Sequence, residues 1–308
     1  MYKQMIIKRF AQWLTLASFM LPALSFGLTF PLPPSGNDIV GEVKVVKTKP
    51  GDTLSDVARR YGVGIEEIRE ANPGVSRRSR IAGGRKIVIP SRFILPSGPR
   101  KGIVINLAEQ RLYYFPTGQN IVITEPVGIG REGQWRTPTG TTQVTGKAKN
   151  PAWRPTANVR AEAARNGTPI PEYFPPGPDN PLGRHVLRLG WATYLIHGTN
   201  RPEGVGSRVS AGCIRMYPED IAALYAMVPV GTPVRVVSEP FKVGWHNGHL
   251  YYEAHSQLVE DKRRFSTNMN LVVNAINNET GGRESMVQWS KVRRATRKAD
   301  GIPEIISE

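Results

Sequence analysis

The feature that most constrains the fold is a series of short β-type runs, separated by Gly and Pro, between residues 101 and 237. The runs are Ile103–Asn106, Leu112–Phe115, Ile121–Thr124, Thr141–Thr145, Tyr194–His197 and Val234–Val237. This spacing is typical of a mostly β domain. One helix is predicted after Pro218, because Glu219 and Asp220 would occupy its first turn and Pro229 would end it.

A smaller unit precedes this domain at residues 43–90. Val43–Val46 and Lys86–Pro90 are typical of strands, and two helical stretches lie between them. The first helix follows a turn and cap at Pro50–Thr53, and the second ends at Asn72–Gly74. The predicted module has the order strand, helix, helix, strand. It carries no ionisable cluster suited to chemistry, so binding is its predicted role.

Residues 1–25 have the layout of a secretory signal peptide. Three cations and no acid precede an apolar stretch that contains polar residues and is broken at Pro22. A membrane span needs roughly 20 apolar residues, so cleavage near Ala23-Leu24-Ser25 is predicted, with an uncleaved anchor as the alternative. Residues 26–42 are rich in proline and are predicted to form an extended linker. The rest of the chain is expected to work outside the cytoplasm.

The chain is strongly basic. Its formal net charge is +16 over 308 residues, and +13 remains when the three cations of the leader are removed. A basic protein associates with anionic partners. Nucleic acid is not expected, because the chain is exported and lacks an aromatic and basic RNA-binding signature. Cell-wall polymers rich in carboxylates fit the charge better.

Residues 238–308 are predicted to form a hairpin and a basic helical tail. The hairpin Phe241–His255 turns at Asn247-Gly248, a strong hairpin signal. Helical patterns follow at residues 268–276 and 284–294. No chemistry is assigned to this tail.

Three histidines of that segment, His246, His249 and His255, are close in sequence. They lack accompanying carboxylates at ligand spacing, and a chain with one cysteine cannot build a thiolate zinc site. The histidines are therefore predicted to face solvent. Neither a metal site nor a cofactor is predicted.

The single cysteine, Cys213, cannot form an intramolecular disulfide. It is either a small buried hydrophobic residue or a reactive thiol. His197 lies sixteen positions earlier, at the end of a predicted strand. An ordinary thiol is only a few per cent thiolate at neutral pH, and a nearby imidazole or cation raises that fraction. His197 is therefore a candidate base for Cys213.

Residues around Cys213 suit a substrate-binding loop. Ser210, Ala211 and Gly212 are small and would allow close approach of a substrate, and backbone N–H groups at Gly212 and Cys213 are candidates for an oxyanion hole. Arg215 would share a strand face with the thiol, where it could favour the thiolate and bind a substrate carboxylate. The alternative is that all of these residues are structural.

Two segments, His197-Gly198-Thr199 and Ser210–Arg215, resemble the active-site signature of the L,D-transpeptidase catalytic (YkuD) domain. The resemblance implies a β-sandwich-like fold in which Cys213 is the nucleophile, His197 is its partner and the Gly198 carbonyl orients the imidazole ring. One departure is Ala211, where many relatives have a histidine.

The resemblance extends beyond the signature. Residues 150–156 and 176–183 are similar to loops of the Gram-negative periplasmic members, as are residues 128–130 and 137–140. The loop that contains the first two segments is long enough to be a lid. The module at residues 43–90 resembles LysM, a family that binds glycans containing N-acetylglucosamine. A connector at residues 91–100 would tether this module to the catalytic domain and raise the local substrate concentration.

This resemblance implies a reaction on peptidoglycan stem peptides in the periplasm. Cys213 would attack the bond between diaminopimelate and the terminal D-alanine of a tetrapeptide, and the resulting thioester would pass to an amine. The acceptor would be a second diaminopimelate, giving a 3→3 cross-link, or a lysine of an outer-membrane lipoprotein. With water as acceptor the enzyme would be a carboxypeptidase, and a non-catalytic peptidoglycan-binding protein is a further alternative.

Overall fold

The computed structural model describes residues 27–77, 79–262, 269–282 and 286–308. The predicted signal peptide, residues 1–25, lies outside these ranges. Within them, no helix combines the length and the apolar character that crossing a membrane requires.

The strands, in chain order, are β1 (Leu28–Pro31), β2 (Ile39–Gly41), β3 (Lys44–Lys47), β4 (Lys86–Ile89), β5 (Arg92–Ile94), β6 (Gly102–Asn106), β7 (Arg111–Phe115), β8 (Ile121–Pro126), β9 (Ile129–Gly130), β10 (Gly140–Lys149), β11 (His185–Leu189), β12 (Leu195–His197), β13 (Arg208–Ser210), β14 (Ile214–Arg215), β15 (Pro233–Val237), β16 (Phe241–His246), β17 (His249–Ala254) and β18 (Glu304–Ile305). The helices are α1 (Leu54–Arg60), α2 (Ile65–Ala71), α3 (Ala157–Arg165), α4 (Pro218–Met227), α5 (Asn270–Thr280) and α6 (Trp289–Lys298).

One large curled sheet forms the catalytic domain. Its strand order is β1-β8-β7-β6-β15-β10-β11-β12-β14, and most neighbours are antiparallel. The inner face packs on α4, whose Ile221 and Leu224 join an apolar core with Leu112, Leu187 and Ile196. Alternating apolar residues in the predicted runs supply this face. The prediction of a mostly β domain with one core helix is therefore confirmed.

The segment predicted as a linker is instead part of the sheet. Strand β1 pairs antiparallel with β8, and β2 pairs with β5. Leu28, Phe30 and Leu32 pack against a second apolar cluster around Phe93 and Tyr113 on the outer face of the sheet. The linker prediction for residues 26–42 is wrong there because three apolar side chains at a period of two outweigh the nearby prolines.

The small module folds as predicted from strand, helix, helix and strand. Strands β3 and β4 pair, and α1 and α2 enclose a separate apolar core with Leu54, Ile68 and Ile87. Thr53 caps α1: its hydroxyl accepts from the Asp56 N–H at 3.2 Å while its own N–H donates to the Asp56 carboxylate at 2.9 Å. This reciprocal cap fixes where the helix begins.

A buried ion pair fixes the module to the catalytic sheet. The Arg111 guanidinium on β7 is fully buried and donates twice to the Glu67 carboxylate on α2, with both distances 2.7 Å. It also donates to the Gly62 carbonyl at 3.1 Å. The module therefore packs on the catalytic domain in addition to being joined to it through the chain.

The C-terminal segment is a third packed unit. The predicted hairpin β16–β17 turns at Asn247-Gly248, and β18 extends its sheet. Helices α5 and α6 close an apolar core with Leu250, Tyr252 and Ile306. Both predicted helices are present; the first residues of the two predicted stretches lie outside the described ranges.

The prediction that the histidines face solvent is wrong for His255. Its side chain is buried, and its Nε2 lies 2.6 Å from Glu253. Glu253 and Glu109 in turn hold the buried Lys242 ammonium at 2.8 and 2.6 Å. Two carboxylates around one ammonium compensate the cost of burying charge. The cluster joins the catalytic domain to the hairpin.

Candidate active site

Two short parallel strands bring the predicted site residues together. In the register of β12 and β14, Ile196 lies opposite Ile214 and His197 lies opposite Arg215. Cys213 comes directly before β14, and the Arg215 charge acts on both the Cys213 thiol and the His197 imidazole. Arg215 is therefore near both groups.

The His197 ring is buried and oriented by the main chain. Its Nδ1 lies 2.6 Å from the Gly198 carbonyl oxygen, as the resemblance implied. Because a carbonyl only accepts, Nδ1 carries the proton and Nε2 is free to take one. Burial, aided by the nearby Arg215 charge, lowers the pKa of His197 to about 3. The resting imidazole is therefore neutral.

Cys213 is partly exposed and rests as a thiol. Its Sγ donates to the Thr193 carbonyl at 3.5 Å. Desolvation raises the pKa of Cys213 to about 11, although the Leu195 backbone N–H and the Arg215 charge both lower it. Arg215 does favour the thiolate, as expected, but desolvation outweighs its effect on the pKa. The pair is a neutral thiol beside a neutral base.

The turn before Cys213 is held by its own hydrogen bonds. The Ser210 hydroxyl donates to the Cys213 carbonyl at 2.5 Å and accepts from the Gly212 N–H at 3.1 Å. Gly212 has a φ of +108° and lies against the Tyr194 ring, so only glycine suits the position. These bonds argue against Ser210 as a substrate ligand and against the Gly212 N–H as an oxyanion donor. Of the predicted donors, the Cys213 N–H remains, and it makes no hydrogen bond to any described residue.

Arg215 combines a fixed backbone with an unsatisfied side chain. Its N–H and carbonyl pair with Gly128 at 2.8 and 2.7 Å. Its Nε is buried and has no partner among the described residues. Buried guanidinium donors are normally satisfied, so an acceptor supplied by substrate fits this position. A carboxylate is the acceptor that a guanidinium prefers.

Thr137 is a supporting residue that sequence reasoning did not single out. Its hydroxyl accepts from the Gly130 N–H at 3.0 Å and donates to the Gly212 carbonyl at 2.9 Å. It thereby joins the segments 128–130 and 137–140 to the turn before the cysteine. The resemblance of these two segments to family loops was the sequence signal that could have pointed to Thr137.

Comparison with known proteins identifies the family of the chain. Residues 100–236 match the model of the L,D-transpeptidase catalytic domain, YkuD, and residues 46–90 match that of the LysM domain. The protein named "Probable L,D-transpeptidase YcfS" from Escherichia coli is 44% identical over 83% of this chain and 82% of its own length. The chain belongs to the L,D-transpeptidase family.

Other L,D-transpeptidases are also similar to this chain. "Probable L,D-transpeptidase ErfK/SrfK" from Salmonella typhimurium is 38% identical over 92% of this chain and 92% of its own length. The solved catalytic domain of the E. faecium L,D-transpeptidase is 24% identical, with a TM-score of 0.34, over 44% of this chain and 95% of that one. The predicted family and the predicted LysM module are confirmed.

A lid, residues 150–183, borders the site of this L,D-transpeptidase. Trp153 of the lid packs on Phe174, with ring centroids 5.2 Å apart. Glu162 on α3 forms an ion pair of 2.5 Å with Arg131, whose backbone N–H donates to the Ser210 carbonyl at 3.0 Å. The lid is thereby linked to the turn that precedes the cysteine.

Beneath the lid is a groove of about 360 Å³. Its walls include Trp153, Arg154, Arg188 and Thr193. The Thr193 carbonyl is the acceptor of the Cys213 thiol, so the groove adjoins the candidate nucleophile. Its two arginines make it suited to a ligand that carries carboxylates.

Proposed function

We propose that this L,D-transpeptidase acts in the periplasm on peptidoglycan stem tetrapeptides and uses Cys213 as its nucleophile. The observation that carries the proposal is the register that sets His197 opposite Arg215, directly after Cys213-Ile214, with the His197 ring fixed by the Gly198 carbonyl. A non-catalytic protein would not require this arrangement of side chains. The predicted leader and the basic charge support work at the cell wall.

In the acylation step, the Cys213 sulfur forms a bond to the carbonyl carbon between diaminopimelate and D-alanine. The thiol proton passes to His197 Nε2 and from there to the departing amine. D-alanine leaves with that proton, and the diaminopimelate carbonyl remains as a thioester. The Gly198 carbonyl, which accepts from Nδ1, stabilises the transient imidazolium.

The neutral resting pair means that proton transfer accompanies attack. A thiol with a pKa of about 11 beside an imidazole with a pKa of about 3 does not ionise spontaneously. The Cys213 N–H is the proposed donor to the developing oxyanion. Arg215 would bind a carboxylate of the donor peptide through its unsatisfied Nε.

In the second step an amine attacks the thioester and regenerates the thiol. The amine belongs to a second diaminopimelate or to a lipoprotein lysine; water would give a carboxypeptidase instead. The lid link Glu162–Arg131 favours transfer over hydrolysis, because a covered site restricts water. The LysM module would bind the glycan strands of the same polymer.

The test uses purified disaccharide tetrapeptide, with and without an added amine acceptor, and mass analysis of products. We expect release of D-alanine and a cross-linked or amine-capped product. Cys213→Ala should abolish both while the circular dichroism spectrum is unchanged, because a partly exposed small side chain contributes little packing. A carbapenem adduct should form on the natural enzyme only. An adduct that persists in the variant would remove Cys213 from the mechanism.

A further inference from the structure

Two lysines oppose each other on the exposed side of the LysM sheet. In the antiparallel register of β3 and β4, Lys47 lies directly opposite Lys86, and both residues are exposed. The Cβ atoms of directly opposed residues are about 5 Å apart, so like charges at such a pair repel each other and destabilise the sheet. Val45 lies two positions before Lys47 and is 62% exposed. This side of the sheet is therefore open to solvent and carries two ammonium groups side by side.

The other side of the same sheet packs on the core of the module. Successive residues of a strand point to opposite sides of a sheet. Val46 and Ile87 lie opposite each other in the register and contact that core. The pairs that flank them point the other way and form a surface that we call the lysine face: Lys47, Lys86, Val45 and Val88. The lysine face is therefore not part of the core of the module.

The acids of the module do not neutralise the lysine face. Residues 43–90 contain five acids and eleven lysines and arginines, an excess of six positive charges. Each acid has a partner of its own, in the contacts Asp52–Arg60, Asp56–Thr53, Glu66–Arg77, Glu67–Arg111 and Glu70–Arg69. Within the described ranges, neither Lys47 nor Lys86 forms an ion pair. An anion supplied from outside the chain would fit this surface.

Thr48 holds the backbone at the end of the lysine face. Its N–H donates to the Arg85 carbonyl at 3.0 Å, and its hydroxyl accepts from the Arg85 N–H at 3.1 Å. The hydroxyl also donates to the Ala82 carbonyl at 2.6 Å. Thr48 directly follows Lys47 and Arg85 directly precedes Lys86, so these bonds fix the spacing of the two lysine backbones. A ligand would therefore meet a preorganised pair of charges.

Two arginines add positive charge at the same end of the sheet. Arg80 Nη1 donates to the Gly51 carbonyl at 3.0 Å, and Arg85 Nη2 donates to the Gly74 carbonyl at 3.4 Å. Both acceptors are neutral, so neither contact compensates the charge of its guanidinium. The potential around the lysine face is therefore positive and attracts anions.

We propose that the lysine face binds carboxylates on the peptide chains of peptidoglycan. The proposal rests on the substrate proposed above and gives the module a second kind of contact with the same polymer. Glycans of N-acetylglucosamine are uncharged, so they offer no counter-charge to Lys47 and Lys86. Stem peptides carry free carboxylates, which form charge-assisted hydrogen bonds with ammonium groups. Val45 and Val88 lie beside the lysines and suit the methyl group of an alanine residue.

The lysine face makes binding by the module sensitive to the peptides of the wall. Glycan contacts alone do not distinguish strands that carry charged peptides from strands whose peptides have lost their charge. Contacts between exposed charges are screened by salt, so this part of the affinity falls as the ionic strength rises.

The experiment measures cosedimentation of the purified protein with sacculi. The test variant combines Lys47→Gln with Lys86→Gln. The control combines Arg293→Gln with Arg297→Gln, which removes the same charge from exposed positions on α6. All proteins carry Cys213→Ala, so that covalent capture does not contribute. The probes are intact sacculi, sacculi whose carboxylates have been amidated with methylamine, and vesicles that contain phosphatidylglycerol.

We expect the test variant to bind intact sacculi roughly fivefold more weakly than its parent, because two exposed charge contacts are lost. On amidated sacculi the two proteins should bind equally. The arginine control should bind intact sacculi as its parent does. The melting temperature of the test variant should be unchanged or higher, because a repulsive pair has been removed.

Four results would overturn the proposal. They are equal binding of the parent and the test variant to intact sacculi, an equal loss on amidated sacculi, an equal loss in the arginine control, and vesicle binding that depends on Lys47 and Lys86. The last result would identify a lipid surface as the partner. Release of D-alanine from soluble tetrapeptide is assayed separately with Cys213 intact, so failure of the proposed catalytic function would not be confused with failure of this one.

Discussion

At the scale of single residues, burial sets the chemistry of the site. Desolvation opposes charge on Cys213 and on His197 alike, so the two groups stay neutral across the physiological range. Cysteine enzymes that rest as a thiolate–imidazolium pair have the opposite arrangement. In the proposed mechanism, the charge is created only while a carbonyl carbon accepts the sulfur.

This difference predicts the pH dependence of alkylation by iodoacetamide. With a pKa of about 11 for the thiol, the thiolate at pH 7 is roughly one molecule in ten thousand. The rate should rise about tenfold per pH unit from pH 6 to 9, with no plateau, because only the thiolate reacts. His197 stays neutral throughout, since its pKa is about 3. A plateau with a midpoint near pH 6 would indicate a resting ion pair.

Arg215 supports a second prediction at this scale. Lysine keeps the charge but loses the planar guanidinium and its Nε, which is the unsatisfied donor. Arg215→Lys should lower kcat/KM for the tetrapeptide by roughly 10- to 100-fold, from the loss of a charged hydrogen bond of about 1.5–3 kcal/mol. Steady-state kinetics would measure this decrease in kcat/KM. Unchanged kinetics would leave Arg215 a structural role only.

At the scale of elements, the lid couples the groove to the cysteine turn through one ion pair. α3 has no buried residue of its own, so its position depends on contacts such as Glu162–Arg131. Such a helix can move away from the site at a small cost in free energy. The balance between transfer and hydrolysis is therefore expected to respond to this contact.

Glu162→Gln should raise the ratio of hydrolysis to transfer. A partly exposed ion pair contributes about 0.5–1 kcal/mol, which corresponds to a change of roughly two- to fivefold. Glu172→Gln is the matched control, because Glu172 pairs with Arg160 within the lid at 3.3 Å and is 80% exposed. Product ratios measured at fixed amine concentration test this. Equal ratios of hydrolysis to transfer in the two variants would mean that the Glu162–Arg131 pair does not control the access of water to the site.

Elements with a strong local pattern could be predicted from the sequence, and those that depend on distant partners could not. The helix α4 and the hairpin at Asn247-Gly248 follow from their own residues. In contrast, α3 lies in a segment rich in Pro and Gly, and β1 is stabilised by the sheet edge that it covers. The Glu109 charge that acts on the buried His255 likewise comes from a residue distant in sequence.

The candidate site shows the same division. The residue types and their order predicted that Cys213, His197 and Arg215 form one group, and the strand register sets two of them, His197 and Arg215, opposite each other. Sequence did not show that burial outweighs the neighbouring charges at Cys213, because desolvation depends on packing from the whole fold. The hydrogen bonds of the Ser210 hydroxyl within its own turn also could not be predicted from the sequence.

At the scale of the whole molecule, the LysM module contacts the loop that leads to Cys213. The Glu66 N–H donates to the Gly206 carbonyl at 3.3 Å, and the Arg77 guanidinium donates to the Ser207 hydroxyl at 2.9 Å. A Cβ atom at Gly206 would lie 2.5 Å from the Cα atom of Gly64. The module therefore contacts the loop that leads to Cys213, in addition to the glycan binding proposed for it.

Disrupting the buried ion pair between Glu67 and Arg111 should affect both stability and activity. Glu67→Gln leaves the Arg111 charge buried without its partner, a change that costs about 3–5 kcal/mol. We expect a clear fall in melting temperature and slower turnover of soluble tetrapeptide. Glu219→Gln, which breaks the exposed pair with Arg59, should cost less than about 1 kcal/mol.

Calorimetry and assays on a soluble donor would test this prediction. If Glu67→Gln turned over the soluble donor at the full rate and lost activity only on intact sacculi, the module would act as a simple anchor.

The raised pKa of Cys213 has a consequence for survival of the enzyme outside the cytoplasm. Oxidation to sulfenic acid and exchange into mixed disulfides both begin from the thiolate. A chain with one cysteine has no internal partner to rescue such damage. In the proposed periplasmic setting, a sulfur that rests as a protonated thiol between turnovers is expected to resist this oxidation.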